Sequence, residues 1–262
     1  MAIKIESLHI YPLKSAKGIS LTEMKVVKTG PQYDREWMLV DKNNNFITQR
    51  THSQLCKIEQ KISADRLFFT DDLNNEFSVP LERTDSEVIS IRIFGKETEA
   101  EIVSPEANQW FSNFFQQEVR LVRSPEKPSR YTSGNHGPQR EILFPDGYPL
   151  LLTTHETLAE LNGKLSTPVR MDQFRPNIVV SGAAANDEEK WVDFNLGSIE
   201  FSSVKACTRC KVITVNQSSG ESDKEVMQTL KSYRTKDDQV IFGRNLIHHG
   251  EGQLKLDDEL KL

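Results

Sequence analysis

The sequence has few cysteines and no long apolar segment. Three of its 262 residues are cysteine, an odd number that makes no disulfide framework and agrees with a reducing compartment. No apolar run approaches the roughly 20 residues that a membrane-spanning helix needs. The amino-terminal residues also lack the basic stretch, apolar stretch and small-residue cleavage site of a secretory signal peptide. We therefore expect a cytoplasmic protein that does not enter a membrane.

The sequence also has fewer basic than acidic residues, 33 Lys and Arg against 38 Asp and Glu. The formal net charge is -5 at pH 7, and the sequence pI is about 5.8. Nucleic-acid polymers are bound through clustered Lys and Arg side chains, so this balance argues against nucleic acid as the main partner. Local basic clusters remain available to bind a small anion.

Short strand-like segments predict a mainly β fold with a few helices. Between residues 67 and 102 such segments recur, separated by Asp/Asn-rich or Gly-containing turns. This spacing is typical of a barrel or curled sheet rather than of βαβ units. A C-terminal hairpin is predicted around Gly250 and Gly252, and the polar residues 124–139 are predicted to form a linker or a mobile loop.

Capping residues predict three helices. Ser104 followed by Pro105 is a typical helix start. A second helix is predicted over residues 154–162, closing at Gly163. The third is predicted to begin at a capping box that spans residues 222–225.

The most informative stretch is Cys207-Thr208-Arg209-Cys210, which holds two of the three cysteines and precedes a predicted strand over residues 211–215. The two thiols could be small buried hydrophobes, which is the usual state of free cysteine. Arg209 argues against that interpretation, because a guanidinium beside reduced thiols is costly to bury unless it meets an anion.

Two other interpretations of the cysteine pair stay open. A zinc site would need two more ligands, and His248 and His249 could supply them, but adjacent histidines rarely point into one tetrahedron. A thioredoxin-like dithiol would have its cysteines at a helix N-terminus, whereas this pair is predicted to lie between two strands.

Several segments, taken in order, resemble the MOSC family, named for the C-terminal domain of molybdenum cofactor sulfurases. They are residues 10–18, 34–35, 174–179, 206–210, 230–234 and 242–243. Within the family the pattern resembles the amidoxime-reducing component branch. The resemblance implies an N-terminal MOSC β-barrel domain over residues 1–123 and a β-barrel-like MOSC domain over residues 124–262.

The resemblance also implies a molybdenum cofactor, in which molybdenum is held by a pterin dithiolene. Cys210 matches the metal ligand, and a single thiolate suits this soft-ligand centre, while Cys207 matches a supporting position. Asp146 matches a catalytic position near the metal, where it could relay protons. The remaining matched positions, which would bind the pterin and its phosphate, are Lys14, Ser15, Arg35, Arg175, Asn177, Thr208, Arg209 and Asn245.

The implied activity is the reduction of small N-hydroxylated compounds such as amidoximes, hydroxylamines and N-hydroxylated nucleobases. No membrane anchor or ferredoxin-type cysteine set accompanies the matched segments. Electrons are therefore expected from a separate partner carrying flavin, haem or an iron–sulfur cluster.

Gly147 and Tyr148 follow Asp146, where animal relatives have a hydroxyl pair. The alternative function is a carrier of the cofactor or of sulfur, without turnover of its own. Substrate choice is expected to depend on the loop 124–139, which we expect at the rim of the binding pocket.

Overall fold

The computed structural model describes residues 2–262. The largest element of its fold is a β-barrel. The strands are β1 (Lys4–Ile10), β2 (Ile19–Leu21), β3 (Glu23–Val27), β4 (Gly30–Pro31), β5 (Trp37–Asp41), β6 (Glu59–Ser63), β7 (Arg66–Thr70), β8 (Glu76–Pro80), β9 (Val88–Ile93), β10 (Lys96–Ile102), β11 (Val119–Arg123), β12 (Arg130–Tyr131), β13 (Glu141–Ile142), β14 (Leu150–Thr154), β15 (Ile178–Ser181), β16 (Asp193–Leu196), β17 (Ile199–Thr208), β18 (Thr235–Lys236), β19 (Gln239–His248), β20 (Gly252–Lys255) and β21 (Leu260–Lys261). The α-helices are α1 (Pro105–Phe115), α2 (His155–Asn162) and α3 (Glu225–Tyr233).

The barrel is formed by a sheet that closes on itself. Its strands follow the order β2-β1-β15-β14-β19-β17-β16-β21. A bridge between Lys4 and Glu259, with a hydrogen bond of 3.0 Å from Ile5 N to Asp258 O, joins β1 to the chain just before β21. Closure removes the free edges of the sheet and encloses a core of alternating inward-facing apolar residues. The predicted mainly β, barrel-like fold is confirmed.

The residues between β4 and β12 form smaller sheets around a second core. Strands β5-β11-β10-β9 make one sheet and β6-β7-β8 another, and α1 packs against them. As the sequence predicts, Ser104 caps α1, its Oγ accepting a hydrogen bond from Ala107 N at 3.1 Å. Phe111 and Phe115 are buried in this core, so these aromatic residues of the helix serve packing.

The two halves of the chain interlock. Strand β1 pairs antiparallel with β15, and β3 pairs antiparallel with β20. The first strands therefore belong to the same sheets as the last ones. The predicted division of the sequence at residues 123 and 124 stays a prediction.

Three local predictions are wrong. Residues 211–215 form no strand, because the chain turns after β17 into a 3-10 helix, Lys211–Thr214. The third helix starts at Glu225 without the predicted capping box; Asp223 accepts the Glu225 N–H instead. Strand β20 forms no hairpin with β19, since β20 pairs with β3.

The predicted helix over residues 154–162 is confirmed as α2, capped by the Thr154 side chain. Residues 124–139 carry short structure of their own, namely β12 and a 3-10 turn at Gly134–His136. None of the helices described for residues 2–262 combines the length and apolar character needed to cross a bilayer.

Candidate functional site

A cavity of about 440 Å³ gathers every site residue predicted from the sequence. It lies where the loop after β1, the residues before β14 and β15, and the end of β17 meet. The predicted residues that line it are Lys14, Ser15, Arg35, Asp146, Arg175, Asn177, Thr208, Arg209, Cys210 and Asn245. The topology thus brings together side chains that are up to 231 positions apart in the sequence, from Lys14 to Asn245.

Three of these residues have backbone conformations that non-glycine residues rarely adopt. The φ angle is 71° at Ser15, 49° at Arg35 and 57° at Arg175. Such conformations cost free energy, and in folded proteins they cluster at functional sites. Each lies in a connection between strands, and all three side chains line the cavity.

Asn177 connects Arg35 to the barrel. Its Oδ1 accepts hydrogen bonds from Arg35 Nη1 at 3.1 Å and from Leu151 N at 3.2 Å, and its Nδ2 donates to His9 O at 3.1 Å. Arg35 Nη1 also donates to Asp34 Oδ2 at 2.5 Å. Asn177 is buried, so its amide mainly fixes the Arg35 guanidinium at the edge of the cavity.

Arg175 lies next to Arg35, and both guanidinium groups lie over the ring of Tyr11, with Cζ atoms 4.2 and 4.3 Å from the ring centroid. Arg175 Nη1 donates to Ala16 O at 2.7 Å, whereas its Nη2 is buried without a partner. Burial, reinforced by the positive charge of Arg35, lowers the pKa of Arg175 to about 10. Two neighbouring cations with a spare N–H are arranged to bind an anion.

Lys14, Asp146 and Arg50 form a charged cluster beside the cavity floor. Lys14 Nζ donates to Asp146 Oδ1 and, at 2.7 Å, to Phe144 O. Burial lowers the pKa of Lys14 to about 8, although Asp146 opposes that change. Burial alone would raise the pKa of Asp146, but Lys14 and then Arg50 hold it well below its usual range. The Asp146 side chain is 59% exposed toward the cavity, so solvent screens these attractions.

The two cysteines of the informative stretch have different surroundings. Cys210 is exposed and lines the cavity, and Arg50 Nη1 lies 3.7 Å from its Sγ. Cys207 is half-buried and accepts a hydrogen bond from Arg209 Nη1 at 3.0 Å. Arg209 Nη2 donates to Phe174 O at 2.6 Å, and its Nε is buried without a partner. Both thiols line the cavity, but Cys210 is the more exposed of the two and Cys207 is already hydrogen-bonded to Arg209, so Cys210 is the better placed to bind a ligand.

The structure places the alternative zinc ligands elsewhere. His248 and His249 line a separate cavity, together with Lys28, Tyr131 and Arg140. Within residues 2–262 no group of three or more His, Cys, Asp or Glu side chains is arranged to hold a metal ion. Cys207 lies in β17, and Cys210 precedes a 3-10 helix of four residues, not the α-helix that activates a thioredoxin-like dithiol.

Cavity residues to which the sequence reasoning gave no role include Arg50, Phe94 and Tyr148. Arg50 and Phe94 come from the smaller sheets, and neither lies in a segment that resembles the family. Tyr148 is a departure from the family pattern, and its hydroxyl is buried without a partner. The loop 124–139, predicted as the rim of the cavity, does not line the cavity. It supports the neighbouring segment instead, because Arg130 Nη1 donates to Leu143 O at 2.6 Å and to Pro145 O at 2.9 Å.

These features fit a molybdenum cofactor. Buried N–H groups without partners are costly, and Arg175 Nη2 and Arg209 Nε are two of them around one cavity. Phosphate and pterin oxygens would satisfy them. The accessible Cys210 thiol supplies one soft ligand, which suits a metal already held by other sulfur atoms.

Comparisons with known proteins point to the same family. A model described as the MOSC N-terminal beta barrel domain matches residues 2–118, and a MOSC domain model matches residues 139–261. The chain is 32% identical over 253 residues to mitochondrial amidoxime-reducing component 1 of Mus musculus, covering 92% of this chain and 74% of that protein. It is 32% identical over 244 residues to mitochondrial amidoxime reducing component 2 of Homo sapiens, covering 89% and 73%.

Two further proteins are similar. The molybdenum cofactor sulfurase of Oryza sativa subsp. japonica is 31% identical over 266 residues, covering 92% of this chain and 32% of that protein. The crystal structure of the YUAD protein from Bacillus subtilis aligns with 99% of this chain and 94% of its own, at a TM-score of 0.44 and 12% identity. By its family models and its curated relatives, this chain belongs to the MOSC family, together with the amidoxime-reducing components.

Proposed function

We propose that the protein is a cytoplasmic, molybdenum-cofactor-dependent reductase of small N-hydroxylated compounds. The observation that carries the proposal is one cavity in which an exposed thiol, Cys210, lies among cationic side chains with unpartnered N–H groups. The names of the curated relatives, amidoxime-reducing components, support the choice of substrate class.

Different residues of the cavity would bind the metal and the pterin. Cys210 would ligate molybdenum, and Arg35, Arg175 and Arg209 would bind the anionic part of the cofactor, with Thr208 and Asn245 beside them. Bound there, the cofactor would supply the two-electron chemistry that the side chains of the protein lack. Asn177 contributes indirectly, by fixing Arg35.

Reduction of an N–OH group to N–H consumes two electrons and two protons and releases water. Asp146 stays ionised near neutral pH, so it holds Lys14 and Arg50 in place rather than storing a proton. Lys14, with a pKa of about 8, is the group in the cluster that can exchange a proton near neutral pH. A separate flavin, haem or iron–sulfur protein would supply the electrons.

The alternative function is a carrier that binds the cofactor or sulfur and transfers it without reducing a substrate. The similarity to a molybdenum cofactor sulfurase and the accessibility of Cys210 favour this alternative. Turnover separates the two functions. A reductase converts benzamidoxime to benzamidine with an artificial electron donor, whereas a carrier holds cofactor without turnover.

The Cys210→Ala substitution tests the role of the thiol. We expect purified wild-type protein to contain molybdenum and pterin and to reduce benzamidoxime, and we expect Cys210→Ala to lose reductase activity. Cys56→Ala is the matched control, because Cys56 is buried away from the cavity and its Sγ donates only to Asn216 O. Normal reductase activity in Cys210→Ala would contradict the proposed function.

A further inference from the structure

Phe94 is a large apolar side chain in an unusual place. It lies at the tip of the β9–β10 hairpin, where its φ of 49° and the φ of 77° at Gly95 turn the chain. The residue is 50% exposed and lines the cavity that holds Cys210. An exposed phenyl ring on the wall of a cavity that holds several charged side chains is informative, because burial would normally be favoured.

Arg50 connects this ring to the thiol. Its guanidinium Cζ lies 5.0 Å from the Phe94 ring centroid and 5.4 Å from that of Phe46, and the two rings pack edge to face at 4.9 Å. Its Nη1 lies 3.7 Å from Cys210 Sγ and 3.6 Å from Asp146 Oδ2. These contacts hold the guanidinium in one orientation, so its other nitrogen points in a fixed direction.

That other nitrogen, Arg50 Nη2, is buried and has no hydrogen-bond partner. A buried guanidinium N–H without a partner is costly, and a ligand oxygen relieves the cost. Since Nη1 of the same group already contacts Cys210, the oxygen that meets Nη2 lies close to the reacting centre. The oxygen of a substrate N–OH group could accept this hydrogen bond and would then lie close to Cys210.

We propose that Phe94 and Arg50, with Phe46 packed behind them, form a substrate subsite that favours planar aromatic N-hydroxylated compounds over aliphatic ones. The substrate ring packs against the exposed part of Phe94, and Arg50 Nη2 donates to the N–OH oxygen. Aromatic contacts favour flat partners beyond the area they bury, and the Arg50 guanidinium lies over the same Phe94 ring. This proposal rests on the proposed reductase function.

A pair of amidoximes tests the subsite, because benzamidoxime and acetamidoxime share the reacting group and differ in the ring. Binding to the oxidised, molybdenum-loaded protein is measured by calorimetry without an electron donor, and kcat/KM is measured with one. We expect Phe94→Ala to weaken binding of benzamidoxime about fivefold and to change that of acetamidoxime less than about twofold. Phe94→Leu, which keeps the volume apolar, is expected to show a smaller loss in the same direction. Tyr131→Ala, an equally exposed aromatic residue outside the cavity, is the control.

Arg50→Met tests the hydrogen bond. We expect it to weaken binding of both amidoximes about tenfold while molybdenum content stays that of wild type, and Arg50→Lys to recover part of the loss. Arg92→Met, which removes an exposed arginine from the same hairpin, is the control. Equal effects of Phe94→Ala on the two amidoximes, or loss of molybdenum in Arg50→Met, would overturn the subsite while leaving the reductase function standing. A molybdenum-loaded wild type that reduces neither amidoxime would overturn the function itself, and the subsite with it.

Discussion

The Arg175→Met substitution removes a buried guanidinium that the protein itself only partly satisfies. In the protein without cofactor, the charged form is disfavoured by burial and by Arg35, which lower its pKa to about 10. A drop of that size corresponds to a destabilisation of roughly 3 kcal/mol, which Arg175→Met removes. Against this gain in stability, the substitution loses the hydrogen bond to Ala16 O, worth about 2 kcal/mol, and the contact with the Tyr11 ring, worth about 1 kcal/mol.

These contributions nearly cancel, so the free energy of unfolding of the cofactor-free protein is expected to change by no more than about 1 kcal/mol. Cofactor binding is expected to suffer far more, because one charge-assisted contact to an anion is lost. Its loss should lower retained molybdenum and pterin about tenfold or more. Urea denaturation measures the first quantity, and elemental and pterin analysis of purified protein measure the second.

Arg123→Met is the matched control, because Arg123 also lies over an aromatic ring but is fully paired. Its Nε and Nη2 contact Glu36 Oε1 at 2.8 and 2.7 Å, and its Cζ lies 4.7 Å from the Trp37 ring. Removing it leaves a buried carboxylate with Arg83 as its remaining partner, so we expect a loss of about 3 kcal/mol of stability. If Arg175→Met were as destabilising as Arg123→Met and kept its molybdenum, Arg175 would be a structural residue and the reasoning would be refuted.

Two further predictions concern the same cavity. The pKa of Lys14 is lowered to about 8, below its ordinary value of 10.5, so raising the pH through 8 should weaken cofactor retention as the charge is lost. The same rise should stabilise the cofactor-free protein, because the buried ammonium is costly at lower pH and that cost disappears as Lys14 loses its proton. Pterin content and urea denaturation from pH 7 to 10 check both, and an unchanged profile in Lys14→Met would show that another group titrates. Asn177→Ala should cost about 3 kcal/mol in urea denaturation, since it breaks hydrogen bonds to Arg35, Leu151 and His9; a loss below about 1 kcal/mol would contradict the linking role.

Local signals allowed much of the fold to be predicted. Ser104 and Thr154 cap the helices that follow them, because capping depends on a few neighbouring residues. Most of the predicted site residues lie in short segments with a family pattern, and the fold brings those segments to one cavity. Their individual roles stay predictions.

The errors come from contacts between distant parts of the chain. Gly250 and Gly252 look like a hairpin turn, but β20 finds its partner in β3, more than two hundred residues earlier in the sequence. The β-branched residues 211–215 resemble a strand, yet Ile213 N bonds back to Cys210 O in a 3-10 turn. Arg50 shows the same limitation, because nothing near it in the sequence indicates that it meets Cys210.

Elemental analysis of the purified wild-type protein beside Cys210→Ala tests the central claim most directly. We expect about one molybdenum atom per wild-type chain, since Cys210 is the exposed thiol of the cavity, together with pterin in equal amount. In Cys210→Ala the molybdenum is expected to fall well below that of wild type. Wild-type protein that is expressed in cells making the cofactor and yet contains neither molybdenum nor pterin would contradict the account.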